Sequence, residues 1–176
     1  WLARVRPDIH ITAVDVASMP LSIAREHLSK EPQSIQERVS FHNSLIEELP
    51  FSDNSFDSCF ISHTLEHIKE HTLLFSELYR VMKPGAPIVI IVPFDHSHDD
   101  PTHCWHFREI DLKEHLMGYG ANVEVCVSNE GDQIAACMSL FRKPRIIAML
   151  RIKNEEEWIS QTLDKASKVV DGFVIL

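Results

Sequence analysis

The sequence of 176 residues predicts an α/β fold, with a mainly parallel sheet that ends in an antiparallel hairpin. Two observations lead to this prediction. Between residues 9 and 117, short apolar segments rich in β-branched residues alternate with segments of helical periodicity, as in sheets whose parallel strands are joined by helices. Residues 123–140 then contain two alternating strand patterns around a turn at Asn129–Gly131, which is typical of a hairpin.

Each element follows from a local pattern. A strand is predicted where an apolar run is bounded by turn residues, and a helix where apolar residues recur every three to four positions. The glycine of the segment Lys83–Gly85 ends the longest helix and turns the chain. The predicted strands are Ile9–Val14, Val39–Phe41, Phe56–Ser62, Ile88–Val92, Val123–Val127 and Ile134–Leu140. The predicted helices are Ser18–Leu28, His63–Met82 and Glu109–Met117.

A second unit is predicted to follow. Ile146–Leu150 and Gly172–Leu176 are strand-like runs, and Glu155–Ser167 between them has the spacing of an amphipathic helix. One strand–helix–strand unit cannot bury its own faces, so we expect it to be the beginning of a further domain. The predicted domains are therefore 1–141 and 142–176.

Composition and charge exclude several classes of protein. The chain is 44% hydrophobic and 24% charged, which excludes intrinsic disorder. Its net charge of −9 disfavours a nucleic-acid partner. The uncharged stretch around its most apolar run, Pro84–Phe94, is far shorter than the ~18 residues of a membrane span. The four cysteines form no C-x-x-C pair, which favours a reducing, cytoplasmic location.

The first candidate site residue is Asp15, which follows the first predicted strand directly. In nucleotide-binding α/β sheets, an acid at the carboxyl end of a strand accepts hydrogen bonds from ribose hydroxyls. The alternative is an ordinary aspartate that caps a helix or a turn. The residue alone leaves both interpretations open.

The wider pattern resembles the class I S-adenosylmethionine-dependent methyltransferases. The resemblance rests on Asp15, on the segment LPFSDNSFDSCFISHTLEHI at 49–68 and on ELYRVMKPGAPIVIIVPF at 77–94, and it covers roughly residues 1–140. It implies a Rossmann-like sheet, S-adenosylmethionine as cofactor, and methyl transfer to a small molecule or a sugar. The alternative is a glycosyltransferase in which this domain is a non-catalytic scaffold.

The resemblance also implies roles for individual residues. Asp15 would bind the cofactor ribose, and Ser44 and Leu45 stand where the family usually has an aspartate that meets the adenine amine. Adenine recognition would then depend on backbone groups. Val16 and Met19 would lie against ribose and adenine, Ser62 and His63 beside the methionine part, and His67 at the mouth of the active site as a substrate contact or general base.

One departure from the family concerns glycine. The chain has 5 glycines, none before Gly85, whereas average usage of ~7% would give roughly 12. The family's first strand and glycine-rich loop would lie about 20 residues before Asp15. We therefore expect a sheet that lacks its first, central strand, and a 176-residue chain that alone binds S-adenosylmethionine weakly or not at all.

A competing motif covers His63–His67, which reads H-x-x-E-H, the inverted signature of zinc proteases. On an α-helix, His63 and His67 would lie one turn apart and share a zinc ion, with Glu66 as the base. The methyltransferase pattern accounts for the same residues, and a polar helix face is the structural alternative. The sequence therefore predicts no metal site here.

A second cluster of polar residues follows the strand Ile88–Val92. It admits three interpretations: a loop of the acceptor pocket, a solvated loop, or a metal site without the ligand spacing of structural zinc sites. The resemblance of the segment from His106 to Leu116 to the family favours the first, so His103 and His106 are predicted to bind substrate. The members of the cluster are His96, His98, Asp99, Asp100, His103, Cys104 and His106.

Residues 144–176 resemble the opening of a family-2 glycosyltransferase. Asn154 and Glu155 match an Asn-Glu pair of that family, and Arg151 lies in the loop that would meet a sugar nucleotide. The alternative is an unrelated cap on the first domain. The sequence as a whole predicts a methyltransferase domain followed by the start of a glycosyltransferase-like domain.

Overall fold

The computed structural model describes residues 1–94, 100–128, 131–140, 147–150 and 172–175. The chain forms two compact units, Trp1–Leu140 and Phe141–Leu176. The helices are α1 (Leu2–Val5), α2 (Ser18–Ser29), α3 (Gln33–Gln36), α4 (His71–Val81) and α5 (Glu109–Met117), with a 3₁₀ turn at Leu65–His67. The strands are β1 (Ile11–Asp15), β2 (Val39–Asn43), β3 (Cys59–Ser62), β4 (Pro87–Pro93), β5 (Gly120–Val127), β6 (Gln133–Leu140), β7 (Ile147–Leu150) and β8 (Gly172–Ile175).

The strands of the first unit form two sheets. β1 pairs in parallel with β2, and a four-stranded sheet has the order β3-β4-β6-β5. In that sheet β3 is parallel to β4, whereas β6 is antiparallel to both β4 and β5. The α/β fold and its terminal antiparallel hairpin are thus confirmed, but the described strands of this unit form a mixed arrangement rather than a mainly parallel one, because the hairpin strand β6 pairs with β4. In the second unit, β7 pairs in parallel with β8.

The core lies on one face of the four-stranded sheet. β4 alternates, so that Ile88, Ile90 and Val92 are fully buried, and α4 packs its apolar side chains into the same cluster. Burying each such aliphatic side chain contributes roughly 1.5–3 kcal/mol, which keeps the ends of β3 and β4 in fixed positions. The loops that follow these two strands carry most of the candidate acceptor-side residues.

The helix predicted over His63–Met82 is wrong in its first part. His63 has a left-handed backbone (φ 48°), and only a 3₁₀ turn at Leu65–His67 precedes α4, which begins at His71. A left-handed residue cannot continue a right-handed helix, so the helical periodicity of the sequence is overridden there. Gly85 has φ 79°, which only glycine adopts without strain and which confirms the predicted turn.

Several predictions fall outside the described residues. These concern the helix at 155–167, the residues Arg151, Asn154 and Glu155, and the polar side chains His96, His98 and Asp99. No helix among the residues that the structure describes is long and apolar enough to cross a membrane.

Arg80 of α4 joins the helix to the loop before β3, and its loss should destabilise the fold. Its guanidinium donates to the carbonyls of Leu49 and Phe51 and to the carboxylates of Asp53 and Glu77. Arg80→Met removes all of these hydrogen bonds, three of them to part-buried acceptors, so we expect chemical denaturation to show a loss of about 1–3 kcal/mol in the free energy of unfolding.

The matched control for Arg80 is Arg6→Ala, because the Arg6 guanidinium pairs with the exposed Asp8. Exposed ion pairs contribute about 0–1 kcal/mol, so this variant should unfold nearly as the wild type does. Equal losses in the two variants would contradict the role assigned to Arg80.

Candidate active site

The first part of the site lies at the carboxyl ends of β1 and β2. Asp15 is the last residue of β1, as predicted, and its Oδ1 accepts a hydrogen bond from the amide of Ala17 at 2.7 Å. Its other carboxylate oxygen, Oδ2, accepts no hydrogen bond from any residue that the structure describes. Asp15 therefore both shapes the turn after β1 and keeps an acceptor oxygen available for a ligand.

Asn43 connects the ends of these two strands, and sequence reasoning missed it. Its Nδ2 donates to the carbonyls of Asp15 at 2.9 Å and Val16 at 2.8 Å, and the amide of Ser44 donates to Asp15 at 3.2 Å. The signal in the sequence that could have indicated this role is an asparagine just after the second predicted strand. The Ser44 hydroxyl is occupied locally, because it donates to the carbonyl of Glu48 at 2.7 Å.

Three large apolar side chains are exposed around this strand end. Val16 is 65% exposed, Met19 73% and Leu45 54%. Val16 follows β1, Met19 lies in the first turn of α2, and Leu45 comes after β2. All three were predicted as cofactor contacts. Exposed apolar side chains next to a carboxylate are suited to a ligand with a flat apolar part and hydroxyl groups.

The second part of the site is a cavity of about 560 Å³ at the carboxyl ends of β3 and β4. His67 and His103, predicted from separate segments, lie together in its wall. His106 does not line it, and its ring centroid lies 6.2 Å from that of His103. Ser62 is exposed at the end of β3. The lining residues are His63, Glu66, His67, Pro93, Asp100, Pro101 and His103.

The backbone after β3 determines which side chains enter the cavity. The amide of His63 donates to the carbonyl of Ile91 at 2.9 Å, which extends the ladder with β4 by one residue. The chain then enters the 3₁₀ turn, which buries Glu66 completely and leaves His67 exposed. Because no α-helix places His63 and His67 one turn apart, the arrangement expected of the inverted zinc-protease motif is not formed.

The loop after β4 is fastened to this turn. The amides of Cys104 and Trp105 donate to the carbonyl of Glu66 at 2.7 and 3.1 Å, and the Trp105 indole donates to Ile68 at 2.8 Å. The rings of His103 and His67 consequently lie 4.8 Å apart, edge to face. Nearby, hydrogen bonds from the Thr102 hydroxyl and amide lower the pKa of Asp100, which is therefore an anion.

A buried histidine pair supports the turn from behind. Nε2 of His71 donates to the carbonyl of Leu65 at 2.8 Å, so its Nδ1 accepts from Nε2 of His115 at 2.7 Å. Burial lowers the pKa of both imidazoles. A neutral pair satisfies both bonds, and burial disfavours the charge that a second proton would place on either ring.

We therefore expect the fold to lose stability as the pH falls. A histidine whose folded pKa lies below its unfolded pKa contributes stability above about pH 6.5, and that contribution is lost as the pH falls through the folded pKa. Thermal unfolding between pH 7.5 and 5 should show the midpoint falling. His115→Gln should flatten the profile, because the titrating partner is gone, whereas the same change at the exposed His27 should not. A wild-type profile in His115→Gln would contradict this.

Comparisons of the sequence and of the structure with known proteins point to methyltransferases. The profile of a family described as methyltransferase domain matches residues 1–90. A crystal structure of a SAM-dependent methyltransferase from Aquifex aeolicus superposes with a TM-score of 0.60 at 23% identity, over 74% of this chain and 69% of that one. A SAM-dependent methyltransferase structure from Methanosarcina mazei superposes with a TM-score of 0.59 at 18% identity, over 78% of this chain and 85% of that one. At such identities these structures show the shared fold.

Sequence relatives match a shorter stretch. A phosphoethanolamine N-methyltransferase of Caenorhabditis elegans is 35% identical over 82 residues, which are 47% of this chain and 18% of the relative. A ubiquinone/menaquinone biosynthesis C-methyltransferase of Brucella canis is 32% identical over 103 residues, 58% of this chain and 32% of the relative. The chain thus spans at most about a third of these two relatives.

Proposed function

The chain belongs to the family of methyltransferase domains, with S-adenosylmethionine as the cofactor, and we propose that it methylates a small molecule bound in the cavity beyond β3 and β4. The observation that carries the proposal is that the first unit has two sites, each at the carboxyl ends of two parallel strands. One is a carboxylate among exposed apolar side chains, and the other is a cavity lined by imidazoles. Methyl transfer needs two sites of this kind, one for the cofactor and one for the acceptor.

The residues at the ends of β1 and β2 fit the cofactor. We assign the free Oδ2 of Asp15 to the ribose hydroxyls, which are donors, and the apolar side chains of Val16, Met19 and Leu45 to ribose and adenine. Asn43 holds this strand end together. Backbone groups serve the adenine amine, because Ser44 and Leu45 supply no carboxylate at the end of β2. Ser62 and His63 follow β3, where we place the methionine part. S-adenosylmethionine supplies the methyl group.

The acceptor side is assigned to His67, with His103 as a substrate contact. Nδ1 of His67 lies 3.3 Å from the carbonyl of Thr102, which orients the ring in the cavity wall. Methyl transfer is a displacement at carbon, so positioning supplies most of the acceleration, and an acceptor that must lose a proton also needs a base. His67 is the base we propose. The predicted role of His106 finds no support, because that residue does not line the cavity.

We also propose that one more strand belongs between β1 and β3. Each has a single hydrogen-bonded neighbour, β2 and β4 respectively, and therefore a free edge within the part of the chain that the structure describes. An open sheet has two edges whereas two separate sheets have four, so a strand that pairs with both β1 and β3 would join the two sheets into one. Calorimetry on the 176-residue chain should accordingly detect weak binding of S-adenosylmethionine or none, and micromolar binding would contradict the proposal.

For residues 142–176 the proposal remains a glycosyltransferase-like domain. The division of the chain after Leu140 and the parallel pairing of β7 with β8 support a separate unit with two parallel strands. The comparisons lend no support to a sugar nucleotide as partner, so methyl transfer is the function that the chain supports best.

Methyl transfer is tested directly with the full-length protein and S-adenosylmethionine labelled in the methyl group. Because the relatives are named for N- and C-methyl transfer, the acceptors offered should include amines, activated carbon acids, and hydroxyl compounds such as sugars. Loss of a general base costs about 10²–10⁴-fold, so His67→Gln should lower kcat by that factor, whereas His27→Gln should not. Undiminished turnover in His67→Gln would exclude it as the base.

A further inference from the structure

We propose that Glu66, His67 and His103 bind a divalent first-row metal ion of the zinc type at the base of the cavity. The starting observation is the state of Glu66. Its side chain is fully buried, and neither carboxylate oxygen accepts a hydrogen bond from the residues that the structure describes. An isolated buried carboxylate is very costly, and proteins retain one where a cation or a donor completes it.

Two imidazoles stand where they can share a cation with this carboxylate. One ligand atom from each of Glu66, His67 and His103 lies within 4.8 Å of the other two. Nε2 of His67 is 3.9 Å from Oε1 of Glu66. The ligand atoms of a tetrahedral zinc site are about 3.3 Å apart, so shifts of roughly 1 Å in the side-chain positions would bring the three atoms to the spacing that an ion requires.

The hydrogen bonds behind His67 prepare it as a ligand. The Thr102 hydroxyl donates to Asp100 at 2.7 Å, so its oxygen, like the Thr102 carbonyl, can only accept from Nδ1 of His67. Nδ1 therefore carries the proton, and Nε2 presents its lone pair toward Glu66. Metal-binding histidines are oriented in this way, with the other ring nitrogen donating to a carbonyl. A bound ion would occupy that lone pair, so His67 would act as the general base only in the metal-free protein, and in the loaded protein the ion itself would favour loss of the acceptor's proton.

The kind of ion follows from the donors. Two imidazoles and one carboxylate are the ligand set of catalytic zinc sites, whereas magnesium and calcium prefer oxygen alone. Three protein ligands would leave a coordination position open, and all three of these residues line the cavity. An acceptor oxygen, from a hydroxyl or a carboxylate, can fill that position, so the ion would select acceptors that present such an oxygen.

His63 offers a competing explanation. Its Nδ1 lies 3.5 Å from Oε1 of Glu66, so a protonated His63 would neutralise the carboxylate without a metal. The two explanations predict different effects of Glu66→Gln. Loss of an ion-pair partner destabilises a metal-free protein, whereas removing an uncompensated buried charge stabilises it.

The test is a zinc titration of the full-length protein against a competing chelator, without cofactor, with cobalt(II) absorption as a second readout. We expect about one ion per chain, an affinity at least ~100-fold lower in Glu66→Gln and in His103→Ala, and no change in His106→Ala, which does not line the cavity. Metal-free Glu66→Gln should melt at a higher temperature than the wild type and gain nothing from zinc.

Several results would overturn the proposal. They are substoichiometric zinc in the wild type, wild-type affinity in Glu66→Gln, and affinity that disappears when His96 and His98 are both replaced by alanine but survives in His103→Ala. A lower melting temperature of metal-free Glu66→Gln would favour the His63 ion pair instead. Because zinc is measured without cofactor or acceptor, failure here leaves the proposal of methyl transfer standing.

Discussion

Asp15→Ala is expected to weaken binding of S-adenosylmethionine to the full-length protein by about 10- to 100-fold. The free carboxylate oxygen at the end of β1 is the group we assign to the ribose hydroxyls. Hydrogen bonds to a charged group contribute about 1.5–3 kcal/mol, and each 1.4 kcal/mol is a factor of ten in the dissociation constant. Isothermal titration calorimetry measures the change.

Two further variants make this prediction specific. Asp15→Asn keeps an oxygen that can accept from the amide of Ala17, so the turn is preserved and binding should fall between the wild type and Asp15→Ala. Asp57 lies before β3, and its exposed carboxylate pairs with Lys83. The Asp57→Ala variant should therefore bind the cofactor as the wild type does. Equal affinity in Asp15→Ala and the wild type would remove Asp15 from the site.

The largest loss of stability is expected from Phe75→Ala in α4. Phe75 is fully buried and stacks on Tyr119, with ring centroids 4.0 Å apart. Truncation of a buried phenylalanine costs about 3–5 kcal/mol, because it removes apolar burial and leaves a cavity. Denaturant unfolding should show this loss with an unchanged dependence on denaturant concentration, since the fold and its exposed area on unfolding remain the same.

Leu73 provides the matched control on the same helix. It is 58% exposed, so Leu73→Ala should change the free energy of unfolding by no more than about 0.5 kcal/mol. A similar loss in both variants would mean that α4 does not bury the face that the structure assigns to the core.

The elements of this fold could be predicted because their patterns are local. The continuous apolar run at 88–92 predicts a buried strand, and in that strand Ile88, Ile90 and Val92 are fully buried. The position of Asp15 at a strand end follows from the apolar run before it. The order of the strands is not local. That β6 rather than β5 lies beside β4 is decided by packing between residues far apart in the chain.

The same distinction explains the site. His67 and His103 could be named as candidates, but their approach depends on the left-handed backbone at His63 and on the amides of Cys104 and Trp105. A histidine with positive φ inside a helical pattern leaves no signature in the sequence. Glu66 was predicted only as a base within the zinc-protease motif, and its burial without hydrogen bonds is visible only in three dimensions.

We propose that the cofactor binds along the ends of β1, β2 and β3, and hydrogen exchange of the full-length protein, with and without saturating S-adenosylmethionine, tests this arrangement. We expect slower exchange of the amides at 15–19, 44–48 and 62–67, with no change in α5, Glu109–Met117. Binding that leaves these three segments unprotected, or that protects α5 instead, would contradict it.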